Sequence, residues 1–423
     1  MDNFTHSVVG LAVGELLQRS LAPEPESASQ HMRRRLLLFA CWAASNFPDL
    51  DLIFSPLLPA PLGYLLHHRG HTHTLLLALP QALLLAALIW LLWPSARRLL
   101  ARSADARRAL ALAIGLGFLL HLSMDYLNSY GIHPFYPFDM RWWYGDMVFI
   151  LEPLFWVAAG VPLVLMLKRR VARWALLGVV AAALLWCVHA GFLHWASLAL
   201  LGLVGSALAF VQVRAQAADG RPGQGDRRGR RGRSALLAGL AACCAFVAVQ
   251  GVGSARGAHV LAAELRQRDP ASELLDASMT AYPANPLCWN FVTVERNAAA
   301  DLYRLRRGVL SLAPGVLAVK DCPAGLTGSA QPDTGSPAIA LLSDQRASLA
   351  ALRQLAQENC YFRAWLRFAR APQVAGQLAS DVRFGTTLAS NFSTIDLAQF
   401  AGRACPANVP GWDFPRADLL RAP

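Results

Sequence analysis

The sequence predicts an α-helical multi-pass membrane protein of about eight membrane helices, some short or irregular, followed by a small mixed α/β soluble domain. Three observations carry that expectation. At 423 residues the chain is 55% hydrophobic with a mean hydropathy of +0.35, too apolar for a soluble protein of this length. The apolar residues fall into long uninterrupted blocks. The basic residues fall on alternate loops between those blocks.

Apolar blocks lie at 4–19, 36–53, 75–94, 109–127, 148–167, 174–192, 195–213 and 235–253. Most approach the ~20 residues that a helix needs to cross ~30 Å of hydrocarbon. The first is short and holds His6 and Glu15 with no basic residue before it, so it reads as a marginal span and not as a cleavable leader. The second carries Asn46, Asp49 and Asp51 near its end, and Pro48 there predicts a kinked or irregular finish.

Orientation follows from the cations. Arg19, Arg33 to Arg35, the group Arg97 to Arg108, Lys168 to Arg173 and the arginines from Arg214 to Arg233 all lie on alternate loops, whereas the other loops hold only Arg69 and Arg141. The positive-inside rule makes the Arg-rich loops cytoplasmic and puts the C-terminal part of the chain outside the bacterial inner membrane. The formal charge of +12 is concentrated in these loops, so topology accounts for it and no direct nucleic-acid site is implied. The expected domains are therefore residues 1–253 as the membrane domain, with a Gly/Arg-rich cytoplasmic loop at 214–234, and residues 254–423 as an extracytoplasmic domain. In the latter, Trp289–Val294 and Val309–Leu312 read as strands and 344–368 as a helix. Its cysteines, Cys288, Cys322, Cys360 and Cys405, permit two disulfides in any of three pairings.

Placing the polar residues on this topology gathers them at one face. His6 opens block one there, and Asp49 and Asp51 close block two. His67, His68, Arg69, His71 and His73 precede block three. His121 and Asp125 lie in the outer turns of block four, and Asp146 and Glu152 open block five. Charged groups near hydrocarbon are costly unless paired, hydrated or bound to a cation, and Arg69 and Arg141 are too few to neutralise five carboxylates. A divalent metal answers this, and mixed imidazole and carboxylate donors suit Zn first, then Mn or Fe. His121 and Asp125, at i and i+4, share a helix face with Asn128, which could orient a ligand or water. Gly70 in His-His-Arg-Gly-His-Thr-His permits a tight turn. Each segment alone has a blander reading: a helix cap for the aspartates, an interfacial loop for the histidines, a core histidine for His121.

At these residues the sequence resembles the YdjM-type inner-membrane proteins, a family described as metal-dependent hydrolases with a LexA-type regulatory link. The matching stretches are Thr5-His6 with Gly10, Pro48-Asp49-Leu50-Asp51, His68-Arg69-Gly70 with Thr72-His73, His121-x-x-x-Asp125, Tyr130-Gly131 with Pro134, and Asp146 with the Pro153 region. Asn285 to Trp289 and Asp381 to Phe384 resemble the C-terminal part of longer members. The His-x-x-x-Asp spacing is also similar to a metal-binding motif of zinc-dependent phospholipases C.

The leading expectation is a hydrolase at the outer face of the membrane, acting by metal-activated water on a lipid or phosphoester. His6, Asp49, Asp51, His68, His73, His121 and Asp125 are the expected metal ligands. Asp146 or Glu152 would serve as general base, and Arg69 would stabilise an anionic group. The alternative is a non-enzymatic membrane protein with a structural metal site or an ion-handling role.

Overall fold

A computed structural model describes residues 1–217, 232–326, 336–385, 387–388 and 391–421. Most of the Gly/Arg-rich loop expected at 214–234 lies outside the described residues. The helices in chain order are α1 (Asn3–Ser20), α2 (Ser27–Ala44), α3 (Leu62–His67), α4 (Leu75–Leu92), α5 (Pro94–Arg102), α6 (Ala104–Tyr126), α7 (Pro153–Leu165), α8 (Arg170–His189), α9 (Trp195–Ala217), α10 (Arg233–Arg268), α11 (Leu349–Glu358), α12 (Cys360–Trp365) and α13 (Ala417–Leu420). The strands are β1 (Glu273–Tyr282), β2 (Asn285–Asn297), β3 (Leu302–Ser311), β4 (Ile339–Ser348), β5 (Pro372–Ala375), β6 (Leu378–Asp381) and β7 (Ile395–Asp396).

Six helices among the described residues are long and apolar enough to cross a membrane: Ser27–Leu57, Leu75–Leu92, Ala104–Tyr126, Arg170–His189, Trp195–Ala215 and Arg233–Arg268. The other two expected blocks differ for physical reasons. In α1, Glu15, Gln18 and His6 interrupt the apolar sequence, and α7 is a 13-residue helix, about 20 Å long at 1.5 Å per residue. Block two ends as the irregularity at Pro48 predicts: after α2 the chain continues as a 3-10 helix, Phe47–Leu57.

The chain divides into two compact units, each discontinuous in sequence. The first comprises Met1–Pro48, Leu75–Asp125 and Phe149–Val249. Its core is Leu36, Leu37, Ala40 and Ala44 of α2 against Ala106, Ala113 and Phe118 of α6, with Leu85 and Ile89 of α4 and Leu99 of α5. Large apolar side chains such as Leu79, Leu83 and Leu91 remain outward on α4, as lipid-facing helices require. Gly117 lets α6 approach α2 closely, because a Cβ there would stand 2.5 Å from Ala44 Cβ and 2.8 Å from the Cys41 carbonyl oxygen.

The second unit comprises Asp49–Thr74, Tyr126–Val148 and Gln250–Pro423. Two segments of the N-terminal half therefore pack with the C-terminal residues. The framework is an antiparallel meander β1-β2-β3-β4 and a smaller antiparallel sheet β5-β6-β7. Leu58, Leu62, Leu65 and Leu66 share one core with Tyr130, Trp142, Trp365, Phe368 and Trp412. The Trp412 indole donates to the Leu66 carbonyl at 2.8 Å, and Trp142 to the Arg367 carbonyl at 2.7 Å.

Trp289–Val294 lies inside β2, and Val309–Ser311 ends β3. The helix expected over 344–368 is wrong at its start and interrupted within. Residues 344–348 belong to β4, the Ser348 hydroxyl caps α11 at Ala351 N, and the Asn359 side chain restarts the helix by accepting from Tyr361 N and Phe362 N. The cysteines pair as Cys288–Cys322 and Cys360–Cys405, so each bridge closes a long loop.

Candidate metal centre

In the first unit the donors are His6, His121 and Asp125, all fully buried. His6 Nε2 lies 3.1 Å from Asp125 Oδ1, and His121 Nε2 lies 3.4 Å from Asp125 Oδ2. The two imidazoles stack with centroids 4.2 Å apart. The His121 ring is fixed by Nδ1, which lies 2.8 Å from the Ser45 carbonyl oxygen, so Nε2 is the nitrogen turned to Asp125. The Ser45 hydroxyl in turn donates to the His6 carbonyl at 3.0 Å. A cation already sits on this carboxylate, for the Met1 amino group contacts Asp125 Oδ1. His6 Nδ1 has no hydrogen-bond partner among the described residues.

In the second unit Asp51 is the hub. Its Oδ1 lies 2.9 Å from His68 Nδ1, and its Oδ2 accepts from the Arg69 amide at 2.9 Å and the Thr72 hydroxyl at 2.7 Å. His73 Nδ1 is 3.3 Å from Asp51 Oδ2, while His73 Nε2 is 3.3 Å from Asp49 Oδ1. Asp49, Asp51 and His68 each offer a ligand atom, and these atoms lie within 4.8 Å of one another. This is a carboxylate–histidine arrangement: Asp51 holds both rings by Nδ1 and leaves each Nε2 as the donor.

The loop around this hub is shaped for it. His68 N bonds Tyr64 O and Gly70 N bonds His67 O, so the chain turns at Arg69, which takes φ +59° although it is not glycine. Gly70 fits because a Cβ there would lie 3.0 Å from both the His67 carbonyl oxygen and the Trp412 ring. The Arg69 guanidinium donates to Asn128 Oδ1 at 3.0 Å and lies 4.9 Å from the Tyr130 ring centroid. Asn128 thus orients an arginine, and its Oδ1 also accepts from Tyr130 N.

Of the two expected catalytic carboxylates, Asp146 is committed to an ion pair and Glu152 caps a helix through Oε1. Asp146, at φ +53°, is ion-paired with Arg370 at 2.8 Å and receives the Ser278 hydroxyl. Burial pushes its carboxyl up from the usual aspartate range, against the pull of Arg370. Glu152 is fully buried and caps α7, accepting from Leu154 N at 3.1 Å. His71 lies against Trp412 and Tyr136. Sequence reasoning missed Ser45, whose role is played by a backbone carbonyl and leaves no side-chain signal. It also gave no chemistry to Thr72, though Thr72 stands between two histidines.

His133, to which the sequence gave no role, lies between Trp142 and Trp412 at 3.9 and 3.8 Å. Burial holds its pKa at about 3. Because the folded value is below the unfolded one, stability is present above the unfolded pKa near 6.5 and falls as pH drops toward 3. Acidification from pH 6.5 to 5 is expected to remove about 2 kcal/mol through this group. Urea titrations of wild type and His133→Phe at the two pH values check this; equal acid losses in both would refute it.

Residues 1–196 match the model of the YdjM inner membrane protein. The N-terminal part of the chain, under half of its length, is thus similar to the YdjM inner membrane protein family. The matched region holds every residue of both donor sets. An uncharacterised protein of Bacillus subtilis, YfhP, is 27% identical over 158 residues, covering 37% of this chain and 44% of that protein. The similarity thus spans less than half of that relative. No solved structure matches the chain.

Proposed function

We propose that the YdjM-like region is a membrane-embedded, metal-dependent hydrolase whose metal ligands are His6, Asp49, Asp51, His68, His73, His121 and Asp125. The observation that supports this most is the pair of buried His/Asp sets, in each of which carboxylate oxygens face imidazole nitrogens. Seven donors exceed the four of a single zinc site, so the set suits two ions. A bound Zn, Mn or Fe would supply Lewis acidity and an acidified water.

The remaining roles fall to the protein. Asp51 fixes the ring orientation of His68 and His73. Arg69, buried and held by Asn128, offers its guanidinium to an anionic oxygen of the substrate. Since Asp146 is committed to Arg370, Glu152 is the carboxylate assigned to accept the proton of water. A lipid or phosphoester substrate fits a site of this chemistry at a membrane surface.

Protein in nanodiscs should cleave phospholipids or a simple phosphodiester, lose turnover in a chelator and regain it with Zn, Mn or Fe. Glu152→Gln should lower turnover by about 10²-fold or more while leaving metal content unchanged. The near-complete burial of the donors supports a second reading, a closed structural site. A protein that retains metal, loses stability in chelator and turns over no substrate would decide for that reading.

The eight-crossing topology, with residues after 253 outside the cytoplasm, belongs to the same proposal. It is supported by the alternate Arg-rich loops and by two disulfides in the C-terminal domain. Reporter fusions after Lys168 and after residue 260 should report opposite sides; the same side for both would overturn it.

A further inference from the structure

A cavity of 660 Å³ in the second unit, outside both donor sets, is lined by four arginines and one carboxylate. Arg353 comes from α11, Arg363 from α12, Arg421 from just beyond α13, and Arg141 from the segment Tyr126–Val148. Asp413 is the acid. Arg141 is matched by Asp139 at 2.8 Å, but Arg353, Arg363 and Arg421 have no carboxylate partner among the described residues. Phe414 and Leu420 supply an apolar wall.

This concentration of cations is built into the fold. The Cys360–Cys405 bridge anchors the start of α12, and Arg353 Nε donates to the Leu419 carbonyl at 2.9 Å, tying α11 to α13. Arg367 stacks its guanidinium on Phe414 at 4.8 Å. Its pKa is depressed, by burial first and by the charge of Arg363 second, with Asp413 pulling the other way.

We propose that this cleft binds a phosphoryl group, carried on an apolar body that packs on Phe414 and Leu420. Guanidinium forks match phosphoryl oxygens with paired, charge-assisted hydrogen bonds, which an ammonium does not reproduce. The volume falls in the ~300–1,000 Å³ range of ligand sites. The same chemistry is offered by an anionic lipid headgroup and by free phosphate. The apolar wall favours the lipid.

The test is calorimetry on the full-length chain in phosphatidylcholine nanodiscs, with empty discs as baseline and chelator throughout to exclude phosphate binding by a metal. The probes are inorganic phosphate, dihexanoyl phosphatidic acid and, as zwitterionic control, dihexanoyl phosphatidylcholine. Saturable binding of phosphatidic acid at least about tenfold tighter than phosphate identifies a headgroup site; equal binding identifies a free-phosphate site. Either supports the phosphoryl site if Arg363→Ala with Arg421→Ala weakens it about tenfold or more and Arg363→Glu removes it. His121→Ala should bind as wild type does, separating this cleft from the proposed metal centre. Absence of saturable binding, equal binding of phosphatidylcholine, or binding unchanged in the double variant would overturn the proposal. Unchanged melting temperature and blocked cysteines in the variants show that the domain is folded.

Discussion

His121→Ala is expected to cost the purified protein one of its two proposed metal ions. The imidazole it removes is fixed on one side by the Ser45 carbonyl and faces Asp125 on the other. Asp51→Asn should behave differently. It keeps the shape of the side chain and one carbonyl oxygen as a donor, but weakens the anchorage of two rings, His68 and His73, and ring-anchoring carboxylates are worth about 10–100-fold in metal affinity beyond any bond of their own to the ion. Mass-spectrometric metal analysis across a chelator series separates the two. Equal metal occupancy in wild type and His121→Ala would end the metal-centre reading.

Arg370→Ala is expected to be the most damaging substitution for stability, at about 3–5 kcal/mol. The guanidinium bridges two carboxylates: Nη1 pairs with Asp146 at 2.8 Å, and Nε and Nη2 reach Asp276 at 2.6 and 2.9 Å. It also lies 4.2 Å from the Tyr144 ring centroid. Removing it strips the buried Asp146 of its ion pair and leaves Asp276 with Arg416 at 3.3 Å. Arg370→Lys should rescue little, because an ammonium cannot span both partners. The triple variant Arg370→Met, Asp146→Ala, Asp276→Ala should recover part of the loss, since both carboxylates leave with the guanidinium and Arg416, which loses Asp276, keeps Asp418 at 3.5 Å. Denaturant titration followed by tryptophan fluorescence checks the order. A single Arg370→Ala variant as stable as wild type would show that the network contributes nothing.

The sequence displayed the parts of the fold that depend on local pattern. Long apolar runs marked the six helices long and apolar enough to cross a membrane, and the His121-x-x-x-Asp125 spacing placed two donors on one helical face. The histidine loop was visible from Gly70 and its neighbours. Interactions set by distant partners were not visible. Nothing near Asp146 announces Arg370, 224 residues away, and so a carboxylate of the expected site proves to be half of an ion pair. His133 gave no signal because its environment is made by Trp142 and by Trp412, at the far end of the chain. The break between α11 and α12 was missed because Asn359 acts through a capping geometry that helix periodicity does not encode.

The packing of Asp49–Thr74 against the C-terminal residues has a consequence for how the protein is made. Trp412 closes over the turn at Gly70 and holds the carbonyl just before His67, yet it is translated some 340 residues after them. A nascent chain that has finished its membrane helices therefore still lacks the surroundings that shape the Asp51, His68 and His73 cluster. On the proposed reading, closure of the Trp412 contact precedes metal loading, which becomes a late step in maturation. Chains stopped near residue 250 should reach the membrane with an unformed histidine loop, and they are poor tools for studying the membrane half alone.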